Sequence, residues 1–356
     1  MEIEKNFAGG NINLIKIDGN DVFIEREVRE NTGYFYWAFR VKNAENKTLR
    51  FIFPAHTRVG RFGVAVSHDL KNWHWSNTKT KVNESEAFSY TFKEGENSVY
   101  FAHDMVYSLE MLNYFLEKNN LKSETFTTTK KGRSVPYFTI GEGEKMIVVT
   151  SRHHACESTG TYVLQGFAEN ALKNPIKNVK ILFVPFVDFD GVMDGDPGKN
   201  RLPYDHNRDY DITAPIYNET ARLREIADSG QVLMNFDFHS PHHDGGINDL
   251  PYLMKIPDGE NKIYSRISQK LKEATANDET SLTYTGKADI EYGDQWNSKN
   301  TPNIKNYYLP RTLLHASITM ETPYFCLEDN IFTQQKAINM GKHLYNALYK
   351  TLEEIL

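Results

Sequence analysis

Lys145-Met-Ile-Val-Val-Thr-Ser-Arg-His-His-Ala-Cys-Glu157 reads as a buried strand that runs straight into a turn crowded with metal-ligating side chains. Its apolar residues are nearly continuous instead of alternating, as expected for a strand covered on both faces. Val179-Lys-Ile-Leu-Phe-Val-Pro-Phe-Val187, Val232-Leu-Met-Asn-Phe-Asp-Phe238 and Ala316-Ser-Ile-Thr-Met-Glu321 read the same way. Between them the pattern predicts helices. One spans Ser158 to Asn174, and a long amphipathic one closes the chain over 332–356. Another spans Met105 to Lys118, with Asp104 as its N-cap and apolar residues at 105, 106, 109, 112, 115 and 116. Buried strands alternating with helices predict an α/β sheet with helices on both faces. In such sheets chemistry gathers at the carboxyl ends of the strands.

Upstream of Asp104 the texture differs. Asn11–Ile17, Val22–Val28, Tyr34–Val41, Leu49–Phe53, Gly63–Ser67, Ser89–Phe92 and Ser98–Ala102 are short aromatic and β-branched runs separated by turns. That pattern predicts an all-β sandwich over 1–103, followed by an α/β unit over 104–356.

The 356 residues carry 41 Lys plus Arg against 47 Asp plus Glu, a formal charge of −6, which disfavours non-specific binding to nucleic acid or anionic membrane. Two cysteines, Cys156 and Cys326, exclude a disulfide scaffold and a Cys-rich zinc module, so a metal site must come mainly from the 12 histidines and the carboxylates. No run of 18 apolar residues predicts a membrane span, and the polar start Met1-Glu-Ile-Glu-Lys5 does not read as a signal peptide. The expected compartment is the cytoplasm, or the periplasm or exterior if a leader has been trimmed. The sequence leaves oligomeric state open.

Four features fall at the predicted strand ends. His154 and Glu157 form an H-x-x-E pair whose imidazole and carboxylate can converge on one metal ion. His239 ends another strand and makes a His₂Glu set with an open position, although His242 and His243 follow closely. Glu321 ends a third strand and can serve as a base. The polar segment Gly195 to Tyr210 carries Arg201, Asn207 and Arg208, which suit a carboxylate grip or an oxyanion. Taken singly, each has a plainer reading: a capping Glu, a strand-end His, a solvated Glu, a salt-bridged loop.

In this order, His154-Ala-Cys-Glu157, Asp205-His-Asn-Arg208, Phe238-His239 and Thr319-Met-Glu321 resemble the zinc carboxypeptidases, the family of carboxypeptidase A. Phe189-Asp-Gly-Val192 looks like a variant of that family's Asn-Pro-Asp-Gly-Val. Tyr34–Asn43 and Tyr100–Tyr107 look like the β-sandwich that precedes the catalytic domain in the cytosolic carboxypeptidase branch. The resemblance implies a mixed-sheet α/β/α catalytic domain after the sandwich. It further implies one Zn²⁺ per chain on His154, Glu157 and His239, with Glu321 as general base and then proton donor. Asn207 and Arg208 would grip the terminal carboxylate of a peptide or protein, and Arg201 would stabilise the oxyanion. The substrate-contacting tyrosine would come from Tyr292, Tyr307 or Tyr308. Lys305 and Arg311 precede Glu321 where the family lines its specificity pocket, so an inward-pointing one would favour an acidic C-terminal residue. The residues Ala155 and Cys156 in the first motif and His206 in the second depart from the commoner pattern and point to a divergent branch. Competing expectations are a zinc deacylase of small N-acyl amino acids, a peptidoglycan-peptide carboxypeptidase, and a non-catalytic binding module.

Overall fold

Apolar residues that alternate along short strands leave one face of a sheet to be covered, and here two such faces cover each other. In the computed structural model, which describes all residues except 30–33, 55–56, 83–84, 212 and 356, strands come first. They are β1 (Glu2–Glu4), β2 (Asn13–Asp18), β3 (Asp21–Glu25), β4 (Ala38–Lys42), β5 (Thr48–Ile52), β6 (Ala65–Ser67), β7 (Trp73–Trp75), β8 (Thr80–Val82), β9 (Ser85–Thr91) and β10 (Ser98–Ala102). They form two five-stranded sheets, ordered β1-β4-β10-β6-β7 and β2-β3-β5-β9-β8. Phe39 of one sheet meets Phe51 of the other at 5.2 Å between ring centroids, and Phe101 meets Phe88 at 5.3 Å. These rings, with Val22, Ile24, Val41, Val66 and Val99, make the sandwich core.

The remainder contains α1 (Leu109–Lys118), β11 (Glu124–Thr128), β12 (Ser134–Ile140), β13 (Lys145–Ser151), α2 (Ser158–Lys173), β14 (Val179–Val184), α3 (Phe189–Asp194), α4 (Asn218–Asp228) and β15 (Val232–His239). After them come β16 (Tyr252–Leu253), α5 (Ile263–Thr275), α6 (Ile304–Tyr308), β17 (Ser317–Glu321) and α7 (Gln334–Ile355). Seven strands form one mixed sheet, β11-β12-β14-β13-β15-β17-β16. The centre, β14-β13-β15-β17, is parallel, and the outer strands pair antiparallel. Every residue of β15 and β17 is buried, so their apolar residues do not simply alternate with solvent-facing polar ones. The sandwich with a following α/β sheet is as expected. The last predicted residue of the terminal helix, 356, lies outside the described residues. Among the described residues no helix is long and apolar enough to cross a membrane.

On the first sheet's outer face Ala102 pairs with Ala38 on one side and Ala65 on the other, and Trp73 and Trp75 flank them. That face joins the same apolar cluster as the seven-stranded sheet. Trp75 fixes the contact: its Nε1 donates to Phe332 O at 2.9 Å and its ring lies 5.4 Å from Phe325.

The helix expected over Met105–Lys118 starts later, at Leu109, and Ser108 caps it by accepting from Met111 N at 3.1 Å. Asp104 is not the cap. Its carboxyl is buried near His103 and Arg152, and burial pushes it up to about 7 against the pull of the Arg152 guanidinium. An acid whose pKa is raised by folding weakens the fold as pH rises from its unfolded value toward its folded one. Asp104→Asn should therefore gain thermal stability relative to the parent between about pH 4 and pH 7, with no further gain above. Melting temperatures of the pair across that range check this; a pH-independent difference would contradict it.

Candidate active site

Parallel pairing brings three strand ends to one edge. Ser151 at the end of β13 stands beside Phe238, and His239 at the end of β15 stands beside Glu321 at the end of β17. After β13 the chain turns sharply. Arg152 takes the left-handed conformation (φ 61°) and buries its guanidinium, donating from Nε to Ala155 O at 2.6 Å and from Nη1 to Tyr107 O at 3.1 Å. This anchors the turn that carries His154 and Glu157. Glu157 sits at the N-cap position of α2, yet its side chain makes no capping bond. Its carboxylate faces the strand ends instead.

His154 Nδ1 lies 2.9 Å from Glu157 Oε1, and His239 Nδ1 lies 2.7 Å from Glu157 Oε2. The opposite ring nitrogens face other carboxylates. His239 Nε2 is 2.6 Å from Asp237 Oδ2, and His154 Nε2 is 3.5 Å from Asp205 Oδ1. Two inward Nδ1 atoms, a carboxylate between them and an acid behind each imidazole make a candidate metal-ligand set, one that could hold an ion with the outer acids orienting the rings. Burial opposes the charge on Glu157, but His154, Lys199 and His239 outweigh it and hold the carboxyl well below its usual range. Burial likewise opposes charge on His239, and Asp237 and Glu157 overcome it. A cation would replace the protons between these groups.

His153, Asp237 and His239 form a second close group. It fits an ion less well, because His153 is committed at both nitrogens: Nδ1 to Asp237 Oδ1 at 2.8 Å and Nε2 to the Tyr210 hydroxyl at 2.7 Å. His242 lines the pocket beside the site, and His243 is buried 4.8 Å from the His103 ring. Neither joins the ligand set.

A cavity of about 350 Å³ opens over the metal-ligand set, and its wall includes Asn207, Arg208, Lys305 and Glu321. Asn207 Oδ1 accepts from Ile304 N at 3.2 Å and its Nδ2 lies 3.3 Å from His239 Nε2. Arg208 donates from Nη1 to Asn207 O at 2.8 Å. Glu321 Oε2 is buried with no hydrogen-bond partner among the described residues. Burial pushes its carboxyl up to about 7, helped by Glu157 and opposed by His239.

Two expectations need correction. Arg201 does not reach this cavity. It faces a separate one of about 180 Å³, where Nη2 pairs with Asp188 at 2.9 Å and Asp196 at 3.3 Å. Tyr307 and Tyr308 also face elsewhere: the Tyr307 hydroxyl donates to Asp228 Oδ2 at 2.8 Å, and that of Tyr308 donates to Leu223 O at 2.6 Å. Both bind α6 to α4. Arg311 pairs with Asp228 at 2.8 Å, outside the cavity. The residues missed are Lys199, whose Nζ donates to Glu157 Oε1 at 2.8 Å, and the wall aromatics Tyr34, Tyr252 and Trp296. The signal for Lys199 was present, two residues before Arg201 in the same polar segment.

No family model matches the chain. It is 24% identical over 301 residues to an uncharacterised protein of Zymomonas mobilis, spanning 77% of each. It is 25% identical over 183 residues to cytosolic carboxypeptidase 2 of Xenopus tropicalis, spanning 44% of this chain and 19% of that protein. The structure superposes on a metallo-carboxypeptidase from Burkholderia cenocepacia with a TM-score of 0.80 at 18% identity, covering 100% of this chain and 99% of that one. It superposes on a metallo-carboxypeptidase from Pseudomonas aeruginosa, solved with (2-guanidinoethylmercapto)succinic acid, with a TM-score of 0.79 at 16% identity and full coverage of both. The chain has the metallo-carboxypeptidase fold, sandwich included.

Asp237 should act on the metal through His239. Asp237→Asn is expected to lower metal affinity about 10- to 100-fold, read by competition with a chromogenic chelator. Affinity equal to the parent's would show that the acid does not orient the ligand.

Proposed function

We propose that the protein is a zinc-dependent metallocarboxypeptidase that removes the last residue of a peptide or protein, with a preference for acidic C-terminal residues. The observation that carries the reading is a buried Glu321 oxygen, unpartnered among the described residues, in the same cavity as His154, His239 and Arg208. His154, Glu157 and His239 would hold the zinc ion, which would supply Lewis acidity to a water and to the scissile carbonyl. Glu321 Oε2 takes the proton from the attacking water and returns it to the leaving amine nitrogen. Arg208 and Asn207 bind the substrate's terminal carboxylate, Arg208 through the guanidinium edge not used on Asn207 O. Holding that end makes the enzyme an exopeptidase and keeps the scissile carbonyl in register. The same reading takes 1–103 as a sandwich domain and 104–356 as the catalytic domain.

Lys305 supports the acidic preference. It is 2% exposed, lines the cavity, and no carboxylate pairs with it among the described residues. Its Nζ donates to Asn306 Oδ1 at 2.8 Å and lies 4.7 Å over the Tyr292 ring. Desolvation lowers it to about 8. A buried ammonium lacking a counter-ion is best satisfied by an incoming carboxylate.

Glu321→Gln should bind zinc as the parent does while kcat falls by about 100-fold or more. Near-parental turnover would remove Glu321 as the base. Lys305→Met should reduce the kcat/KM ratio of C-terminal Glu over Leu peptides by about tenfold or more. In the parent, that ratio should fade as pH rises above about 8, because the lysine then loses its proton. An unchanged ratio in the variant would end the acidic assignment.

A further inference from the structure

We infer that Lys199, and not an arginine, is the cation that stabilises the developing oxyanion, and that the same ammonium guards Glu157 when no metal is bound. The first half rests on the carboxypeptidase reading; the second rests only on its metal site, the His154–Glu157–His239 group taking a divalent ion.

The loop before the Asp205 motif offers two cations, and the fold separates them. Gly198 (φ 75°) and Asn200 (φ 58°) both take positive φ on either side of Lys199. The chain therefore turns twice within three residues. Arg201 is sent to Asp188 and Asp196, in the other cavity. Lys199 is sent to the metal-ligand set, where Nζ lies 2.8 Å from Glu157 Oε1 and 5.0 Å over the Tyr34 ring. Three cationic side chains line the large cavity: Lys199, Arg208 and Lys305. Arg208 is tied to Asn207 O, and Lys305 to Asn306. Lys199 alone reaches a metal-ligand atom.

That position has a consequence for charge. A divalent ion needs the carboxylate that Lys199 now holds, so the two compete for Glu157. A lysine suits this exchange, because it is a point charge on a flexible stem with no fixed fork to break. Its side chain is 26% exposed, whereas Glu157 is fully buried, so the ammonium can withdraw toward the cavity and the carboxylate cannot. Once released, it remains in the cavity where the substrate carbonyl must lie, and it can donate to the oxygen as negative charge develops there. Tyr34, from the sandwich half, is the positioning residue: its ring face is the second seat for the ammonium.

Zinc titration of the full chain against a chromogenic chelator, together with peptide kinetics, separates the two roles. Lys199→Met should bind zinc more tightly than the parent, because the competing cation is gone. Its kcat should fall about 100- to 1000-fold with KM little changed, and Lys199→Arg should recover part of kcat. Weaker or equal zinc affinity in Lys199→Met would overturn the guarding role. A kcat within threefold of the parent would overturn the oxyanion role. If the zinc-loaded parent cleaves no peptide, the carboxypeptidase reading fails and the oxyanion role with it, while the zinc titration still decides the guarding role.

Discussion

A fully buried carboxylate is tolerable only if cations or proton donors surround it, because desolvating it otherwise costs several kcal/mol. Glu157 is such a group, and the site is organised around satisfying it. Lys199 and His154 meet one oxygen, and His239 meets the other. The charge is then passed outward. His239 leans on Asp237, Asp237 on His153, and His153 on the Tyr210 hydroxyl, each contact between 2.6 and 2.8 Å. Donors and acceptors alternate along this line, so a change at the metal position is felt two residues deeper in the sheet. The line is buried throughout, and each member is held by its neighbours within the protein.

The same requirement explains the packing behind the site. Glu157 can meet His239 only if the start of α2 lies close against β15. Gly160 allows this: a Cβ there would come within 2.9 Å of Phe238 C and 3.1 Å of His239 N. Further along, Gly166 and Gly341 let α2 and α7 approach backbone to backbone, since a Cβ on either would overlap a carbonyl of the other helix. The terminal helix thus holds α2, and α2 holds the carboxylate. A helix remote in sequence from the chemistry sets the spacing of the ligands.

Much of this was legible. Apolar-rich runs leading into His or Glu mark buried strands whose ends meet, and the H-x-x-E spacing fits a turn into a helix. What the sequence could not convey was direction. Lys199 and Arg201 are both basic and two apart, and only the double turn at Gly198 and Asn200 decides which faces the ligands. Tyr307 and Tyr308 looked eligible by their distance from Glu321, but α6 is packed on α4 and turns their hydroxyls to Asp228 and Leu223. Asp104 has the residue type of a helix cap. Four residues later Ser108 takes that role, and Asp104 is buried instead. Residue type gave each of these a plausible role; three-dimensional neighbours assigned it.

The sandwich is part of the same problem. Its face of Ala38, Ala65, Ala102, Trp73 and Trp75 docks on the α/β half, and next to that contact Phe35, His103, His243 and Tyr324 make an aromatic box. Phe35 lies 4.7 Å from His103, 4.8 Å from His243 and 5.3 Å from Tyr324. His243 belongs to the segment that leaves β15 immediately after the ligand His239, so the box ties that segment to the sandwich. Burial, and then His243, lower the His103 pKa well below its usual value. Tyr34 is the residue before Phe35, and its ring forms part of the cavity wall over Lys199. A pocket wall built from residue 34 therefore depends on a docking contact between two sheets, and loosening that contact changes the shape of the cavity without touching a metal ligand.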